Sequence, residues 1–248
     1  RTTVRIYNVN TDSLITSVVE TPGGEVNYEG NIKIDGVPGS AAPVQVAFLD
    51  ASGAKTGKLL PTGNAYDTID GVDMSLVDCA MPMMMMRAAD MGKTGYETVQ
   101  ELEADKAFMA RMEALRLKAG VAMGFGDVSK SVIPKPVLLA KPQHDAAIIC
   151  VRYFMPHDCH PSLAVTGTIG IGTACVTPGT LAAEIAGPVA MPQTVLIENP
   201  AGHIEVHLSL PEGQENPMAS LVRTARKLFE GFVYAKAAPG NATHNKAA

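Results

Sequence analysis

Hydrophobic and polar residues alternate over several short segments in the first third of the chain, which is the pattern of strands with one buried face. The alternation predicts strands at 2–8, 14–20, 25–34, 44–49, 72–77 and 83–86. Turn-forming residues at 10–12 and 36–39 separate neighbouring strands. We therefore expect this part of the chain to form a mostly antiparallel sheet.

The spacing of apolar residues changes to a helical period between 95 and 120. There the apolar positions form one stripe and Glu and Lys fill the other face, which predicts an amphipathic helix broken near its middle. Residues 165–184 are small or apolar on all sides and predict a buried helix. Two further strands are predicted at 134–140 and 146–154, the second of them apolar on both faces.

The last part of the chain contains a predicted hairpin and a final strand. The hairpin strands at 194–198 and 203–210 are joined by turn residues at 199–202. Residues 221–234 fit a strand better than an amphipathic helix, and residues 235–248 have the composition of a disordered tail. The whole pattern predicts an α+β fold in which a curved, mostly antiparallel sheet wraps around a central apolar helix.

Composition and charge narrow the class of protein. The chain has 248 residues, 46% of them hydrophobic, and a net charge of −5, which describes a globular protein. It has no Lys/Arg cluster of the kind that binds nucleic acid. No apolar run reaches the roughly 18 residues of a membrane span. Four cysteines without disulfide or zinc spacing indicate reduced thiols in the cytoplasm.

The candidate binding site is the segment that leads into the predicted helix at 165–184. His157, His160 and Ser162 lie in a polar turn, and Thr166-Gly167-Thr168 follow at the helix start. The free N–H groups of a helix start, next to cationic side chains, bind carboxylates. We therefore predict a carboxylate site here, with Ser162 open between a ligand contact and a turn residue.

The same turn offers three side chains that bind metals, His157, Cys159 and His160. Three donors within four residues of one turn give poor tetrahedral geometry, and no second pair of ligands occurs elsewhere in the sequence. We therefore predict no metal. Cys159 is expected to be structural, since nothing in the sequence indicates a lowered thiol pKa.

Six short motifs occur together and in a fixed order: LLPTGN (59–64), DTIDG (67–71), RAADMG (87–92), GD (126–127), PHDCH (156–160) and LVRTAR (221–226). In this combination the chain resembles the 4-oxalomesaconate tautomerases and 2-methylaconitate isomerases, the PrpF-like family of the diaminopimelate epimerase-like fold. Each motif alone is weakly specific, and their number and order carry the match. The resemblance covers nearly the whole chain, to about residue 234.

The resemblance implies two pseudo-symmetric domains, each a curved sheet around a central helix, with the active site in the cleft between them. Residues 1–234 would form the C-terminal, substrate-binding domain, and most of the first domain would be missing. The strand at 221–234 is a candidate to return to that missing domain. The family's proton-transfer pair, a lysine and a cysteine, belongs to the first domain, so we expect no catalytic residue in this chain.

Thr166 stands where epimerases of this fold carry a second catalytic cysteine. An epimerase needs a base on each face of one carbon, whereas an allylic tautomerase moves a proton between two carbons and can use groups from one side. The resemblance therefore implies a tautomerase rather than an epimerase. Thr166 is also expected to cap the helix, because capping and anion binding use the same N–H groups.

The resemblance also makes Lys135, Thr62 and Asn64 candidates for substrate binding, and Met81 is a candidate because it lies at the entrance of a strand. Each has a plain structural alternative. Lys135 could be a solvated surface lysine, Thr62 and Asn64 could belong to a simple turn, and Met81 could enter a methionine-rich strand packed in the core. Both interpretations stay open from the sequence.

The resemblance implies a cofactor-independent isomerase that catalyses a 1,3-allylic proton shift on a tricarboxylate such as 4-oxalomesaconate, in the breakdown of aromatic acids. The alternatives are a 2-methylaconitate-type isomerase and a non-catalytic carboxylate-binding module. The expected partners are a small tricarboxylate and the missing N-terminal domain, without nucleic acid or membrane. A homodimer is a candidate assembly.

Overall fold

The computed structural model describes residues 1–9, 13–48, 51–210, 212–213 and 216–234. The strands are β1 (Thr2–Asn8), β2 (Ser13–Val19), β3 (Pro43–Phe48), β4 (Asp67–Ile69), β5 (Val72–Cys79), β6 (Met81–Arg87), β7 (Lys135–Ala140), β8 (Ala147–Tyr153), β9 (Gln193–Asn199), β10 (Gly202–Ser209) and β11 (Met218–Thr224). The helices are α1 (Val99–Ala104), α2 (Lys106–Ala122), α3 (Val165–Cys175) and α4 (Leu181–Ala186). The fold is α+β, as predicted.

All eleven strands belong to one sheet with the order β1-β2-β3-β11-β10-β9-β8-β7-β6-β5-β4. Neighbouring strands are antiparallel except for two parallel pairs, β6 with β7 and β8 with β9. The sheet is therefore mostly antiparallel. The late strand β11 lies between β3 and β10 and joins the two parts of the sheet.

The sheet curves around α3. This helix contacts β5 and β6 on one side and β10 and β11 on the other. Six strand spacings of about 4.8 Å separate β5 from β11 along the sheet, far more than the roughly 10 Å width of a helix. Both can touch α3 only if the sheet bends around it. Nine of the eleven residues of α3 are buried as a result.

The methionine-rich strand β6 is packed core, as the sequence indicated. The four consecutive side chains Met83 to Met86 are all fully buried. Met83 and Met85 pack in the cluster that surrounds α3, whereas Met84 and Met86 pack in a second cluster against α2. The strand is therefore buried on both faces, with unbranched thioethers filling the space between two helical layers.

Both predicted helices are interrupted. The first breaks at Asp105, near its middle as predicted, and the Asp105 side chain caps α2 by accepting a hydrogen bond from the Phe108 N–H (3.0 Å). The second was expected to run over 165–184 but ends at Cys175. Residues 176–180, which include Pro178 and Gly179, separate it from α4, whose first turn Thr180 caps.

Two strand predictions are wrong in extent. Residues 25–34 form only an isolated bridge between Ile32 and Ala41. The Asn27 side chain hydrogen-bonds both the N–H and the C=O of Glu29, and such local bonds compete with a sheet ladder. The strand predicted at 221–234 ends at Thr224, opposite Pro43, where β3 begins.

Residues 225–234 follow β11 without regular structure and are exposed. The predicted disordered tail, 235–248, lies outside the described residues. The return of residues 221–234 to a further domain, and that domain itself, stay predictions. No helix in the described part of the chain is long and apolar enough to cross a membrane.

Candidate anion-binding site

The site forms where β8 ends and α3 begins. After Tyr153 the chain makes a tight turn, closed by a hydrogen bond from the Met155 N–H to the Asp158 carbonyl (2.8 Å). It returns along the strand end, where the His160 N–H donates to the Tyr153 carbonyl (2.7 Å). Helix α3 begins five residues later, at Val165. The turn thus carries His160 to the start of the helix.

Tyr153 lies beneath the first turn of α3 and is almost completely buried. A Cβ atom at Gly167 would lie 2.7 Å from Cε2 of the Tyr153 ring, so the helix can rest on this ring only with glycine at that position. Burial raises the pKa of this phenol well above its ordinary value, and it therefore stays neutral.

The start of α3 has no side-chain cap. Its N-cap residue is Ala164, and the first bond within the helix runs from the Thr168 N–H to the Ala164 carbonyl (2.8 Å). By helical geometry the N–H groups without an intrahelical acceptor are those of residues 165–167. The expectation of free groups at 166–168 is thus displaced by one residue. The expectation that Thr166 caps the helix is wrong, because the helix begins before it.

His160 is half-buried beside the Tyr153 ring, with the ring centroids 6.2 Å apart and an edge-on contact. Its Nδ1 atom accepts a hydrogen bond from the Ser162 N–H (3.0 Å). The neutral ring therefore carries its proton on Nε2. His160 can donate a hydrogen bond to a carboxylate through Nε2, and charge pairing would require breaking the Ser162 contact. Ser162 is half-buried and contributes through its backbone N–H.

Lys135 opens β7 at the same edge of the sheet. Its neighbour in the next strand, Met83, packs against α3, and Val137, two residues further along β7, pairs with Tyr153. Side chains two residues apart share a face, so Lys135 lies on the α3 side. It is only 8% exposed, which excludes a freely solvated lysine.

The charge of Lys135 is not compensated by a protein carboxylate. Within the described ranges, no Asp or Glu forms an ion pair with its ammonium group. Burial, with a smaller contribution from the Arg116 guanidinium, lowers the pKa of this ammonium below its ordinary value. A largely buried lysine whose partly desolvated ammonium pairs with no protein carboxylate favours binding of an external anion.

Met81 begins β6 at this edge as well, because β6 and β7 are parallel and Met83 pairs with Lys135. Its side chain is half-buried and packs against the α3 cluster. The structure therefore brings most of the predicted site residues to one edge of the sheet: Met81, Lys135, His160, Ser162, Thr166, Gly167 and Thr168. The fully buried Thr168 hydroxyl donates to the Ala164 carbonyl (3.0 Å), which directs it into the helix.

His157 is not part of this group. It is exposed at the tip of the turn and faces a groove on α1 and α2, with Glu103, Lys106 and Glu113 among the neighbouring residues. Two carboxylates in that groove, together with the adjacent Asp158, oppose the binding of an anion. His157 is separated from the anion site because the tight turn directs His157 and His160 to different surroundings.

Thr62 and Asn64 are also directed elsewhere. The Thr62 hydroxyl and the Asn64 amide each donate to one carboxylate oxygen of Asp67, both at 2.7 Å. The next residue, Ala65, lies beside Gly179, which follows the C-terminal end of α3. The structure therefore associates both side chains with Asp67 and does not group them with the start of α3.

The thiols are buried and protonated. Burial raises the pKa of Cys79 to about 11 and that of Cys159 to about 12, and both are free cysteines. Among the residues that the structure describes, no group of three His, Cys, Asp or Glu side chains is arranged to hold a metal ion.

The sequence prediction missed Tyr153. An aromatic residue at the end of an apolar strand has the pattern of an ordinary core residue, and its partner Gly167 has the pattern of a small helix residue. The signal that could have found the pair is a glycine in the first turn of an otherwise apolar helix, since it indicates close approach of another group.

The single sheet curved around α3 defines the fold of this chain, and a solved isomerase structure has the same fold. The chain superposes on the structure of a methylitaconate-delta-isomerase with a TM-score of 0.84, at 33% sequence identity over 94% of this chain and 65% of that protein. The chain belongs to the PrpF protein family, whose model matches residues 1–236.

Two relatives give the range of similarity. The putative isomerase YbhH of Escherichia coli K12 is 52% identical over 235 residues, which is 94% of this chain and 66% of that protein. The 4-oxalomesaconate tautomerase of Pseudomonas putida is 42% identical over 233 residues, 94% of this chain and 64% of that protein. The chain thus spans slightly less than two thirds of the length of these relatives.

Proposed function

We propose that this chain forms the carboxylate-binding side of an isomerase that moves a double bond in a tricarboxylate by a 1,3-allylic proton shift, with 4-oxalomesaconate as the candidate substrate. The observation that carries the proposal is the start of α3, which has no side-chain cap, beside the largely buried Lys135, whose ammonium pairs with no Asp or Glu among the described residues. The similarity to a 4-oxalomesaconate tautomerase at 42% identity supports the choice of substrate.

The site suits the charge that such a reaction develops. Loss of a proton from a carbon next to carbonyl and carboxylate groups leaves an enolate, whose negative charge must be stabilised until a proton returns two carbons away. The N–H groups of residues 165–167 and the Lys135 ammonium would bind the carboxylates and this charge. His160 would donate a further hydrogen bond through Nε2.

The groups that move the proton are proposed to lie outside this site. Residue 166 is threonine, and the thiol of Cys159 nearby is buried with a raised pKa, so it is a poor base at neutral pH. A lysine and a cysteine of a further domain, as the family resemblance implies, would supply the pair. Cofactor independence, a role in aromatic catabolism, a cytoplasmic location and a homodimer remain predictions.

A second candidate is a smaller substrate with two carboxylates. The similarity to a methylitaconate-delta-isomerase, at 33% identity and a TM-score of 0.84, favours it. The two candidate substrates differ in charge, because a tricarboxylate has a third anionic group that His160 or Lys135 could bind. A chain that binds without turnover remains the third alternative.

Calorimetric titration with trans-aconitate, a stable unsaturated tricarboxylate, tests the proposal. We expect binding by the chain and a loss of about tenfold in affinity in Lys135→Met and in His160→Ala, the scale of one hydrogen bond to a charged group. His157→Ala is the matched control and should bind like the wild type. Itaconate, with two carboxylates, should bind more weakly.

Two results would overturn the proposal. One is the absence of binding heat with the wild type, and the other is unchanged affinity in both Lys135→Met and His160→Ala. A separate assay follows the ultraviolet change on tautomerisation of 4-oxalomesaconate. Turnover by this chain alone would refute the placement of the proton-transfer pair in a further domain.

A further inference from the structure

The motif LVRTAR at 221–226 contains two arginines that have no role in the candidate site. The first of them, Arg223, lies in β11, which contacts α3. Leu221, in the same strand, is almost completely buried in the cluster that surrounds α3. Because side chains two residues apart in a strand share a face, Arg223 lies on the α3 side as well.

Arg223 is at the edge of the sheet where α3 begins. Strand β8 ends at this edge with Tyr153, and β9, which is parallel to β8, ends there too. Strand β10 returns from the edge, and β11, antiparallel to β10, ends at it. Arg223 is the last residue but one of β11. Lys135, the first residue of β7, lies at the same edge because β7 is antiparallel to β8.

The contacts of Gly172 indicate where Arg223 lies along the helix. A Cβ atom at Gly172 would be 3.1 Å from Cγ1 of Val206 in β10. The register between β10 and β11, continued by one residue, places Leu221 opposite Val206. Arg223 is two residues, or about 7 Å, closer to the edge. Gly167 is five helical residues, or about 7.5 Å, closer to it. Arg223 therefore lies near the level of the first turn of α3.

Arg223 differs from the other arginines that are not exposed. Arg87 and Arg116 each form an ion pair with a carboxylate, and Arg152 donates to two backbone carbonyls at 2.8 and 3.0 Å. The half-buried Arg223 donates to the carbonyl of its neighbour Val222 at 3.4 Å. Within the part of the chain that the structure describes, no Asp or Glu forms an ion pair with it. Its capacity for two parallel hydrogen bonds to a carboxylate is therefore unused.

Two carboxylates border the same cavity as Arg223 without pairing with it. They belong to Asp35 and Glu205. Asp35 accepts a hydrogen bond from the His203 N–H at 2.8 Å instead. Glu205 lies on the outer face of β10, since its buried neighbour Val206 faces α3. A structural role in this cavity is the alternative that an experiment on Arg223 has to exclude.

We infer that Arg223 binds one carboxylate of the substrate and makes the site selective for tricarboxylates over dicarboxylates. This inference rests on the proposed function. Four strand spacings, about 19 Å along the curved sheet, separate β11 from β7, so Arg223 and Lys135 face the start of α3 from two sides. Two carboxylates can bind to the helix N–H groups and to Lys135. A third carboxylate would then face Arg223, whose planar guanidinium binds it with two hydrogen bonds.

Calorimetric titration with two ligands of matched shape tests the inference. Mesaconate has the skeleton of trans-aconitate with a methyl group in place of one carboxymethyl group, so the two ligands differ by one carboxylate. We expect Arg223→Met to bind trans-aconitate about tenfold more weakly than the wild type. Its affinity for mesaconate should stay within about twofold of the wild type. The preference for the tricarboxylate should therefore fall about tenfold.

Two further variants serve as controls. Arg226→Met removes the second arginine of the same motif, which is exposed, and should keep the wild-type preference. Arg223→Lys keeps the charge without the planar fork, and its preference should lie between those of the wild type and Arg223→Met. If Arg223→Met is poorly folded, Arg223→Lys still decides the question, because the ratio of two affinities is measured on one protein sample.

The outcomes separate this inference from the proposed function. Absence of binding of either ligand by the wild type contradicts both. A wild type that binds trans-aconitate, with an unchanged preference in Arg223→Met, refutes the role of Arg223 alone. A lower Tm with an unchanged preference would assign Arg223 to the cavity with Asp35 and Glu205. An equal loss for both ligands, or the same loss of preference in Arg226→Met, also refutes the inference.

Discussion

Gly167 and Tyr153 are in a contact that no other residue at position 167 could make, since a Cβ atom there would lie 2.7 Å from Cε2 of the phenol ring. The contact joins the first turn of α3 to the last residue of β8. It places the uncapped N–H groups of the helix directly over the end of the sheet. The packing of α3 on the sheet and the binding of a ligand therefore both depend on the absence of a side chain at Gly167.

Gly167→Ala should be destabilising, although the same change in an open helix position stabilises by about 1 kcal/mol. The added methyl group must displace the Tyr153 ring or the helix, which costs about 1–3 kcal/mol of unfolding free energy. Urea denaturation of the wild type and the variant measures this. In a Tyr153→Leu background the loss should be smaller, and a Gly167→Ala protein more stable than the wild type would contradict the contact.

Lys135→Met should make the chain more stable while it weakens binding of trans-aconitate. The Lys135 side chain is largely buried, its ammonium is partly desolvated and pairs with no carboxylate of the described residues, and an unbranched apolar side chain of similar length removes that cost. We expect a rise in Tm of about 2–4 °C, equivalent to about 1 kcal/mol for a chain of this size. Thermal unfolding in the absence of ligand is the measurement. A Tm below that of the wild type would count against an unpaired Lys135.

The stability gap between Lys135→Met and the wild type should depend on pH in a defined direction. The pKa of Lys135 is lower in the folded chain than in the unfolded chain, so the unfolded chain binds more protons between the two values. Wild-type stability therefore gains from this group as pH rises from the lowered pKa to the ordinary value of about 10.4. The gap should be constant near neutral pH and close in that alkaline window. Urea midpoints measured at several pH values test this. A stability gap that widens in the alkaline window would contradict the prediction.

Thr62→Val and Asn64→Ala should alter stability rather than binding. Each removes one hydrogen bond to the Asp67 carboxylate, worth about 1 kcal/mol. Their affinities for trans-aconitate should stay within about twofold of the wild type, since the structure does not group them with the start of α3. Calorimetry and thermal unfolding on the same samples separate the two effects. Weaker binding without a lower Tm would show that Thr62 and Asn64 belong to the binding site.

Asp78→Ala should release the loop at 51–60. The fully buried carboxylate accepts hydrogen bonds from the Lys55 N–H (2.8 Å), the Thr56 N–H (2.7 Å) and the Thr56 hydroxyl (2.9 Å). Removing it leaves three donors without this acceptor. We therefore expect the free energy of unfolding to fall by about 2–4 kcal/mol. Limited trypsin digestion should become faster at Lys55 and Lys58.

Asp127→Ala is the control for that experiment. Asp127 accepts a hydrogen bond from one backbone N–H, that of Ser129, at an exposed position. Its digestion pattern should match that of the wild type. Equal resistance of Asp78→Ala and Asp127→Ala would show that the loop does not depend on the buried carboxylate.

The hairpin strands β9 and β10 could be predicted because burial on one face repeats along them, whereas β5 to β8 are apolar segments buried on both faces. The failure at 25–34 has a local cause, since the Asn27 side chain satisfies the backbone of Glu29 and removes the need for a partner strand. The break after α3 coincides with Pro178 and Gly179, whereas the residues on both sides of it are small or apolar and continue the pattern of a buried helix. Periodicity reports burial and says little about where an apolar run stops.

The site was predicted only in part because a turn has no period. His157 and His160 are three residues apart and chemically identical, and only the conformation of the turn decides that one faces α2 and the other faces α3. Similarly, the polar character of Thr62 and Asn64 was apparent, whereas their use by Asp67 depends on the folded loop. Residue type indicates which chemistry is available, and three-dimensional direction decides where it acts.

The position of β11 between β3 and β10 has a consequence for synthesis on the ribosome. Residues 43–48 and 202–209 leave the ribosome before the strand that joins them. Until residues 218–224 emerge, β3 and β10 each have an unpaired edge and α3 is open on one side. The nascent chain thus exposes an apolar helix and two strand edges until β11 is synthesised, which is the interval in which a chaperone would protect it from aggregation.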